Sequence, residues 1–228
     1  MSTAAVHIGV LASGGGSNMQ AVMDAIAAGR INGRIVLVIA DRPGAFALER
    51  ARKAGIETAV ISPKDFPSRA AFSQALADRL RAADVGLVLL AGFMFITTAE
   101  LTDAFPDRMI NIHPALIPGF CGPGFYGHRV HKAVLAYGVK LSGCTVHFVE
   151  LDADAGPIII QRAVPVKEDD TPETLAARVL VEEHKALPEA VRLFCAGRLK
   201  IDGRIVRILP PTEPEEPEPV ETYEHMHL

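Results

Sequence analysis

Apolar residues in this chain gather in short runs separated by polar turns. Val6 to Leu11, Ile35 to Ala40, Ile56 to Ile61 and Val85 to Ala91 are such runs. The last is almost wholly apolar, as expected of a strand covered on both faces of a parallel sheet. Between the runs the apolar period changes to that of a helix: Met19, Val22, Met23 and Ile26, then Phe72, Leu76 and Leu80. The spacing predicts helices over 19–28, 45–54 and 69–82, with Ser17 or Asn18 capping the first and Ser68 the third. Thr98 is placed to cap a short helix holding Leu101 and Phe105, after which Met109 to Asn111 forms the next strand. Strand and helix alternate, which predicts an α/β, Rossmann-like open twisted sheet with a parallel N-terminal half.

The alternation stops beyond residue 111. The stretch Gly119 to Gly127 holds four glycines and reads as a long shaped loop. A helix is predicted from His128 to Tyr137, ending at Gly138. Residues 143–149 and 157–164 are strand-like and are joined by the acidic turn 150–156, so they are expected to pair as antiparallel neighbours. Asp170-Thr171-Pro172-Glu173 signals the start of a helix over 169–194. Ile201 to Val206 reads as a hairpin about an Asp202-Gly203 turn. The sheet should therefore carry an antiparallel C-terminal extension. Residues 1–209 are expected to form a single domain, and 210–228 an acidic, flexible tail of prolines and glutamates.

The loop between the first strand and helix is Ser13-Gly14-Gly15-Gly16-Ser17-Asn18. Several backbone N–H groups and a helix N-terminus can there face one anion. A dinucleotide site is the rival reading, since Asp41 closes the next strand as a ribose-binding acid would. The glycine spacing matches neither the dinucleotide fingerprint nor the P-loop, so phosphate binding is weighed against an ordinary strand–helix turn. Arg69 starts a helix, where its charge gains nothing from the dipole. A ligand contact and plain exposure both account for it.

Composition narrows the field. The 228 residues are 49% hydrophobic, enough for one large core. The formal charge is -4, but six glutamates lie beyond Pro210 without a Lys or Arg, leaving the rest near +2. A nearly neutral body suits small anionic substrates and gives no broad basic field for nucleic acid. Cys121, Cys144 and Cys195 are too scattered for a disulfide framework or a CxxC metal site. His128 and His131, three apart on a helix, read as a solvated face, and no metal is expected. His225, Met226 and His227 carry no assigned role. No signal peptide and no membrane span are read, so a cytoplasmic protein is expected.

The chemistry concentrates in Asn111-Ile112-His113-Pro114-Ala115-Leu116-Ile117-Pro118. Residues 111 and 113 share a face if the strand continues. Pro114 favours extended geometry at His113, and Pro118 stiffens the far end. This is an amide and an ionisable ring on a semi-rigid platform, or a polar strand end with a turn after it.

The segment Asn111 to Pro118 resembles the active-site signature of folate-dependent formyltransferases. Leu151-Asp152-Ala153-Asp154-Ala155-Gly156-Pro157-Ile158-Ile159 resembles their aspartate loop. Residues 13–18 resemble the loop with which one branch of that family holds a ribonucleotide phosphate. The motifs come in the family's order, and the likeness runs from about Ile8 to about Gly203. The resemblance implies the formyltransferase fold, with residues 1–110 as the ribonucleotide half and 111–209 as the catalytic and folate half. It implies transfer of a formyl group from 10-formyltetrahydrofolate to the amine of 5'-phosphoribosylglycinamide in purine synthesis. Asn111, His113 and Asp154 match its catalytic residues, and His147 a supporting histidine. Gly14, Gly15, Gly16, Ser17, Asn18, Arg69 and Glu183 match substrate contacts. Leu90, Phe93, Met94, Phe95, Ile96, Leu151, Asp152 and Asp154 match the folate pocket. Phe95 stands where the family pattern often has an arginine, which puts a charge contact to folate in question.

For acyl transfer between nitrogens, Asn111 offers an N–H to the acyl oxygen, and a protonated His113 would offer a stronger donor. Asp154 can hold or charge His113 and relay protons. No Ser or Cys sits in a nucleophile elbow, so direct transfer without an acyl-enzyme is expected. The partners expected are small molecules only, in a monomer or homodimer. Formylation of methionyl-tRNA or of a sugar nucleotide, hydrolysis of the formyl folate, and a nucleotide-binding module without turnover are the alternatives. The first would call for a further domain and a basic surface.

Overall fold

The structure, a computed structural model, describes residues 4–211. The early apolar runs become strands β1 (Val6–Ala12), β2 (Gly33–Ala40), β3 (Glu57–Val60), β4 (Leu87–Leu90) and β5 (Met109–His113). Helices α1 (Ser17–Ala27), α2 (Phe46–Lys53), α3 (Arg69–Ala82) and α4 (Ala99–Thr102) connect them in turn. All four pairings among these strands are parallel. Then follow α5 (His128–Tyr137), β6 (Leu141–Phe148), β7 (Ile158–Pro165), α6 (Pro172–Cys195), β8 (Leu199–Asp202) and β9 (Ile205–Ile208). Among the described residues the strands form one sheet in the order β3-β2-β1-β4-β5-β6-β7-β9-β8. The β5–β6 and β6–β7 pairings are antiparallel, as expected of an antiparallel extension.

Alternation along the strands sorts the core onto two faces. Ile8, Val10 and Ala12 join residues of α1, α2, α5 and α6 on one face. Leu11, Leu37 and Ile39 meet Phe72, Leu76 and Leu80 of α3 and Leu101 of α4 on the other. Gly9 sits under α3. A Cβ there would come within 2.5 Å of Leu80 Cδ2, so glycine permits the close packing of helix on sheet.

Several helix starts differ from expectation. Gly16, not Ser17 or Asn18, is the N-cap of α1, in the left-handed region at φ 70°. Both polar side chains are then free for other partners. Ser68 caps α3 as expected, accepting from the Ala71 N–H. Thr98 precedes α4, but its hydroxyl donates to Glu100 instead of capping. The capping box of α6 joins Thr171 to Thr174, not to Glu173. In the last hairpin Asp202 pairs with Ile205, so the two-residue turn is Gly203-Arg204. Pro210 and Pro211 are exposed. The rest of the expected acidic tail, with His225, Met226 and His227, lies outside the described residues.

The strand order locates the site. From β1 the chain moves outward to β2 and β3, then crosses back to β4 on the other side of β1. The loops leaving β1 and β4 therefore diverge and open a crevice at the carboxyl ends of the strands, where open α/β sheets bind ligands. Those are the glycine loop and the segment from Ala91 onward.

Candidate active site

Two hydrogen bonds tie the crevice loops together. The Ser13 N–H donates to the Gly92 carbonyl at 3.0 Å, and the Met94 N–H donates to Ser13 Oγ at 3.0 Å. Ser13 is buried, so its hydroxyl holds the 92–94 segment against the glycine loop. Gly14 and Gly15 are exposed, and a Cβ on either would meet nothing within 4 Å. Gly16 is buried against α2, with a virtual Cβ 2.8 Å from Ala47 Cβ. The loop thus faces outward at the N-terminus of α1, which suits an anion. Arg50 was not foreseen: its Nε donates to the Gly15 carbonyl at 2.8 Å and its Nη1 to Gln20 Oε1 at 3.2 Å.

Strand β5 carries Asn111 and His113 on one face, both turned toward Asp154 of the loop after β6. Asn111 Nδ2 lies 3.1 Å from His147 Nε2 and 3.5 Å from Asp154 Oδ1. His147 Nδ1 is 2.7 Å from the Phe148 carbonyl. That nitrogen therefore carries a ring proton, and Nε2 faces both the Asn111 amide and Asp154 Oδ1, the latter at 3.6 Å. His113 Nε2 lies 2.9 Å from the Phe120 carbonyl and so is protonated, while Nδ1 faces Asp154 Oδ2 at 3.5 Å. The Gly122 N–H donates to the same carboxylate oxygen at 2.8 Å. The four expected side chains form one cluster, closed on one side by the loop that contains Phe120 and Gly122.

Burial sets the protonation states here. It pushes the His113 pKa below its ordinary value, against the opposing pull of Asp154 and the Phe120 carbonyl. Burial would raise the Asp154 pKa, but the His147 ring, His113 and the Gly122 N–H outweigh it and hold the carboxyl below its ordinary value. These shifts favour a neutral imidazole beside an ionised carboxylate, whereas the stronger donor considered above would require His113 to take up a proton.

The cluster forms the floor of a cavity of about 210 Å³. Leu90, Phe93, Met94, Phe95, Ile96 and Val149 supply apolar wall, and the glycine-rich loop supplies the opposite side. Of the expected folate residues, Leu151 and Asp152 do not line it. Residues 152–155 form a turn, closed by the Ala155 N–H to the Asp152 carbonyl, and Leu151 is left 57% exposed. Glu150 and Ala153 line the cavity instead. Phe95 also packs into an aromatic cluster, 5.3 Å from Phe72 and 6.0 Å from Phe93 between ring centroids.

A second cavity, of about 270 Å³, adjoins the first and shares Gly92, Met94, Ile112, Pro114 and Gly127 with it. Asn18, Glu183 and His131 are its polar lining with His128. Asn18 Nδ2 donates to Glu183 Oε2 at 2.6 Å. Burial raises the Glu183 pKa, partly offset by that bond. Arg69 does not line this cavity. Its Nη2 donates to the Ile96 carbonyl at 2.8 Å, beside the first cavity, and the residue is exposed.

His131 was read as part of a solvated face, yet it is 4% exposed. The signal was present: His131 lies one residue past Val130 and three before Val134, on the inward stripe of α5. Thr145 and Gln161 were also missed. Thr145 Oγ1 donates to the Ala115 carbonyl at 2.7 Å and accepts from the Ile117 N–H at 3.1 Å. Gln161 Nε2 donates to the Ile117 carbonyl at 2.9 Å and to Thr145 Oγ1 at 3.0 Å. These bonds fix the chain leaving His113, and local sequence carries no sign of them. Among the described residues, no group of three or more His, Cys, Asp or Glu is placed to hold a metal ion.

Comparison with known proteins bears on this arrangement. The sequence profile of the formyl transferase family matches residues 6–191. A phosphoribosylglycinamide formyltransferase, chloroplastic, from Arabidopsis thaliana is 45% identical over 194 residues, 85% of this chain and 66% of that protein. The trifunctional purine biosynthetic protein adenosine-3 of Bos taurus is 44% identical over 201 residues, 87% of this chain but 19% of its own length. The chain therefore spans just under two thirds of the first relative and a fifth of the second. Glycinamide ribonucleotide transformylase 1 from Symbiobacterium toebii superposes with a TM-score of 0.88 at 51% identity, covering 92% of this chain and 96% of that one. Phosphoribosylglycinamide formyltransferase from Brucella melitensis does so with a TM-score of 0.77 at 42% identity, covering 85% and 97%. The chain belongs to the formyl transferase family, among relatives named phosphoribosylglycinamide formyltransferases.

Proposed function

We propose that this protein transfers a formyl group from 10-formyltetrahydrofolate to the amine of 5'-phosphoribosylglycinamide, a step of purine synthesis. The observation that carries the reading is the cluster of Asn111, His113, His147 and Asp154 in the first cavity, which a second cavity adjoins at Ile112 and Pro114. The first cavity has the apolar, aromatic wall that suits a flat ring system. The second runs toward Asn18 and the exposed glycine loop, which suits a small phosphorylated sugar. The two reacting ends would then meet over Asn111 and His113. Residues 1–209 act in this reading as one domain, with the phosphate loop from the first half and the catalytic cluster from the second. The cytoplasm is the compartment expected in this reading.

The folate supplies, when bound, a formyl carbon on a nitrogen that can leave. The residues of the chain then have three tasks. The Asn111 amide turns one N–H from its long contact with Asp154 toward the formyl oxygen, where negative charge grows. Such a donor is worth about 3 kcal/mol in the transition state. The neutral His113 and the Asp154 carboxylate together take one proton from the attacking amine and return one to the departing nitrogen, so no net proton is consumed. The 92–97 wall and the 119–127 loop keep water from the formyl carbon. The reading takes the transfer as direct, without an acyl-enzyme.

The test mixes the protein with glycinamide ribonucleotide and a 10-formyl folate and follows deformylated folate by absorbance. Turnover that requires the ribonucleotide is expected. Folate release without it would instead identify a hydrolase, and silence with both present would overturn the reading.

A further inference from the structure

We infer that His131 is a substrate-contacting residue that reads a ribosyl hydroxyl in the second cavity, the inference resting on the function proposed above. His131 projects from α5 into the wall shared with Asn18 and Glu183. It is 4% exposed, and its Nδ1 is buried without a hydrogen-bond partner. Asn18 Oδ1, in the same wall, is buried and unpartnered as well. Buried polar atoms in folded proteins are nearly always satisfied, and leaving one unmet is costly. Two in one cavity point to a ligand that satisfies both.

The chemistry of the wall selects the ligand group. Asn18 Oδ1 and the remaining oxygen of Glu183 can accept hydrogen bonds, so the wall calls for O–H or N–H donors. A carboxyl in the wall disfavours a phosphate, which the outward-facing glycine loop can take instead. Burial first, then His128 and His113, push the His131 pKa down to about 4. The ring is therefore neutral and offers one donor and one acceptor, which a hydroxyl can match in either sense. The reacting amine must reach Asn111 and His113 in the first cavity. Between phosphate and amine lies the sugar, and its hydroxyls are the donors left to face His131, Asn18 and Glu183.

The test uses His131→Leu, which removes the ring nitrogens at similar volume, and His131→Asn, whose side-chain amide can stand in for Nδ1. Binding of glycinamide ribonucleotide, and of analogues lacking the 2- or the 3-hydroxyl, is measured by calorimetry, with the thermal midpoint of the ligand-free protein. The leucine variant is expected to bind the ribonucleotide about 10- to 100-fold more weakly and to lose the wild-type preference for one of the two hydroxyls. It should unfold no lower than wild type, because an unmet buried atom has been removed. The asparagine variant should regain much of the affinity. Wild-type affinity in the leucine variant, or undiminished discrimination between ribo and deoxy ligands, would overturn the inference while leaving the proposed function intact. Failure of the wild-type protein to bind the ribonucleotide would overturn both.

Discussion

Asp154 Oδ2 lies 3.5 Å from His113 Nδ1, and the same oxygen accepts the Gly122 N–H at 2.8 Å. The loop that covers the site is thus anchored on the carboxylate that faces the histidine. Asp154→Asn keeps the size and one acceptor oxygen but cannot share a proton with His113. Turnover should fall by about 10²- to 10⁴-fold, with ribonucleotide affinity within about twofold of wild type. Steady-state rates and calorimetry on the same preparation check this, and an unchanged rate would remove Asp154 from the chemistry.

The lowered pKa of His113 has a signed consequence for activity. The neutral ring is the working form, so activity is lost as pH falls and His113 takes up a proton. Because its pKa lies below the ordinary 6.5, that loss occurs below pH 6.5. Asp154 lies below 3.8 and adds no limb near neutrality. A substrate amine titrates nearer 8, so the two limbs of the kcat/KM profile should separate by more than about one unit. An acidic limb centred above 6.5 and absent in His113→Asn would contradict the burial argument.

Gly16 tests the glycine loop. An alanine there meets both a φ of 70° and a Cβ contact of 2.8 Å with Ala47. Gly16→Ala should cost about 2 kcal/mol of stability by urea unfolding and weaken phosphate-ligand binding. Gly14→Ala, with open space around its Cβ, should leave stability within about 0.5 kcal/mol.

Thr145 holds the chain beyond His113 from the neighbouring strand, since the two residues are paired in register. Thr145→Val leaves the Ala115 carbonyl and the Ile117 N–H without their buried partner. The expected cost is about 3 kcal/mol of stability, with a fall in kcat and little change in ribonucleotide affinity. Thr145→Ser, which retains the hydroxyl, should recover both readouts.

Phe95 packs its ring on Phe72 and Phe93. Phe95→Arg should lower stability by about 1–2 kcal/mol through lost aromatic packing. If a charge at this position holds the folate, its affinity should rise. Titration of a folate with two glutamates against one with none decides the matter, and equal affinities in both proteins would dismiss the charge argument.

Much of this was legible in the sequence because it rests on local periodicity. The parallel strands, the helices over 69–82 and 128–137, and the antiparallel return after residue 113 follow from apolar spacing and turn residues. The pairing of Asn111 with His113 follows from the two-residue period of a strand. The motifs that resemble formyltransferases added Asp154, His147, Asn18 and Glu183. Helix starts were less legible: the Asn18 amide met Glu183 of a distant helix, and the Thr98 hydroxyl met Glu100 two residues on, instead of capping.

What only the tertiary structure decided depends on residues distant in the chain. Strand order, with β4 returning beside β1, placed the glycine loop against the 92–94 segment and created the crevice. Burial lowered the His113 pKa and made His131, expected on a solvated face, part of a cavity wall. The Phe120 carbonyl, the Thr145–Gln161 bonds and the bond of Arg69 to the Ile96 carbonyl also came only from the fold. Periodicity reports which face of its own element a residue occupies. Protonation and contact depend on which other element covers that face, and covering is a property of the assembled chain.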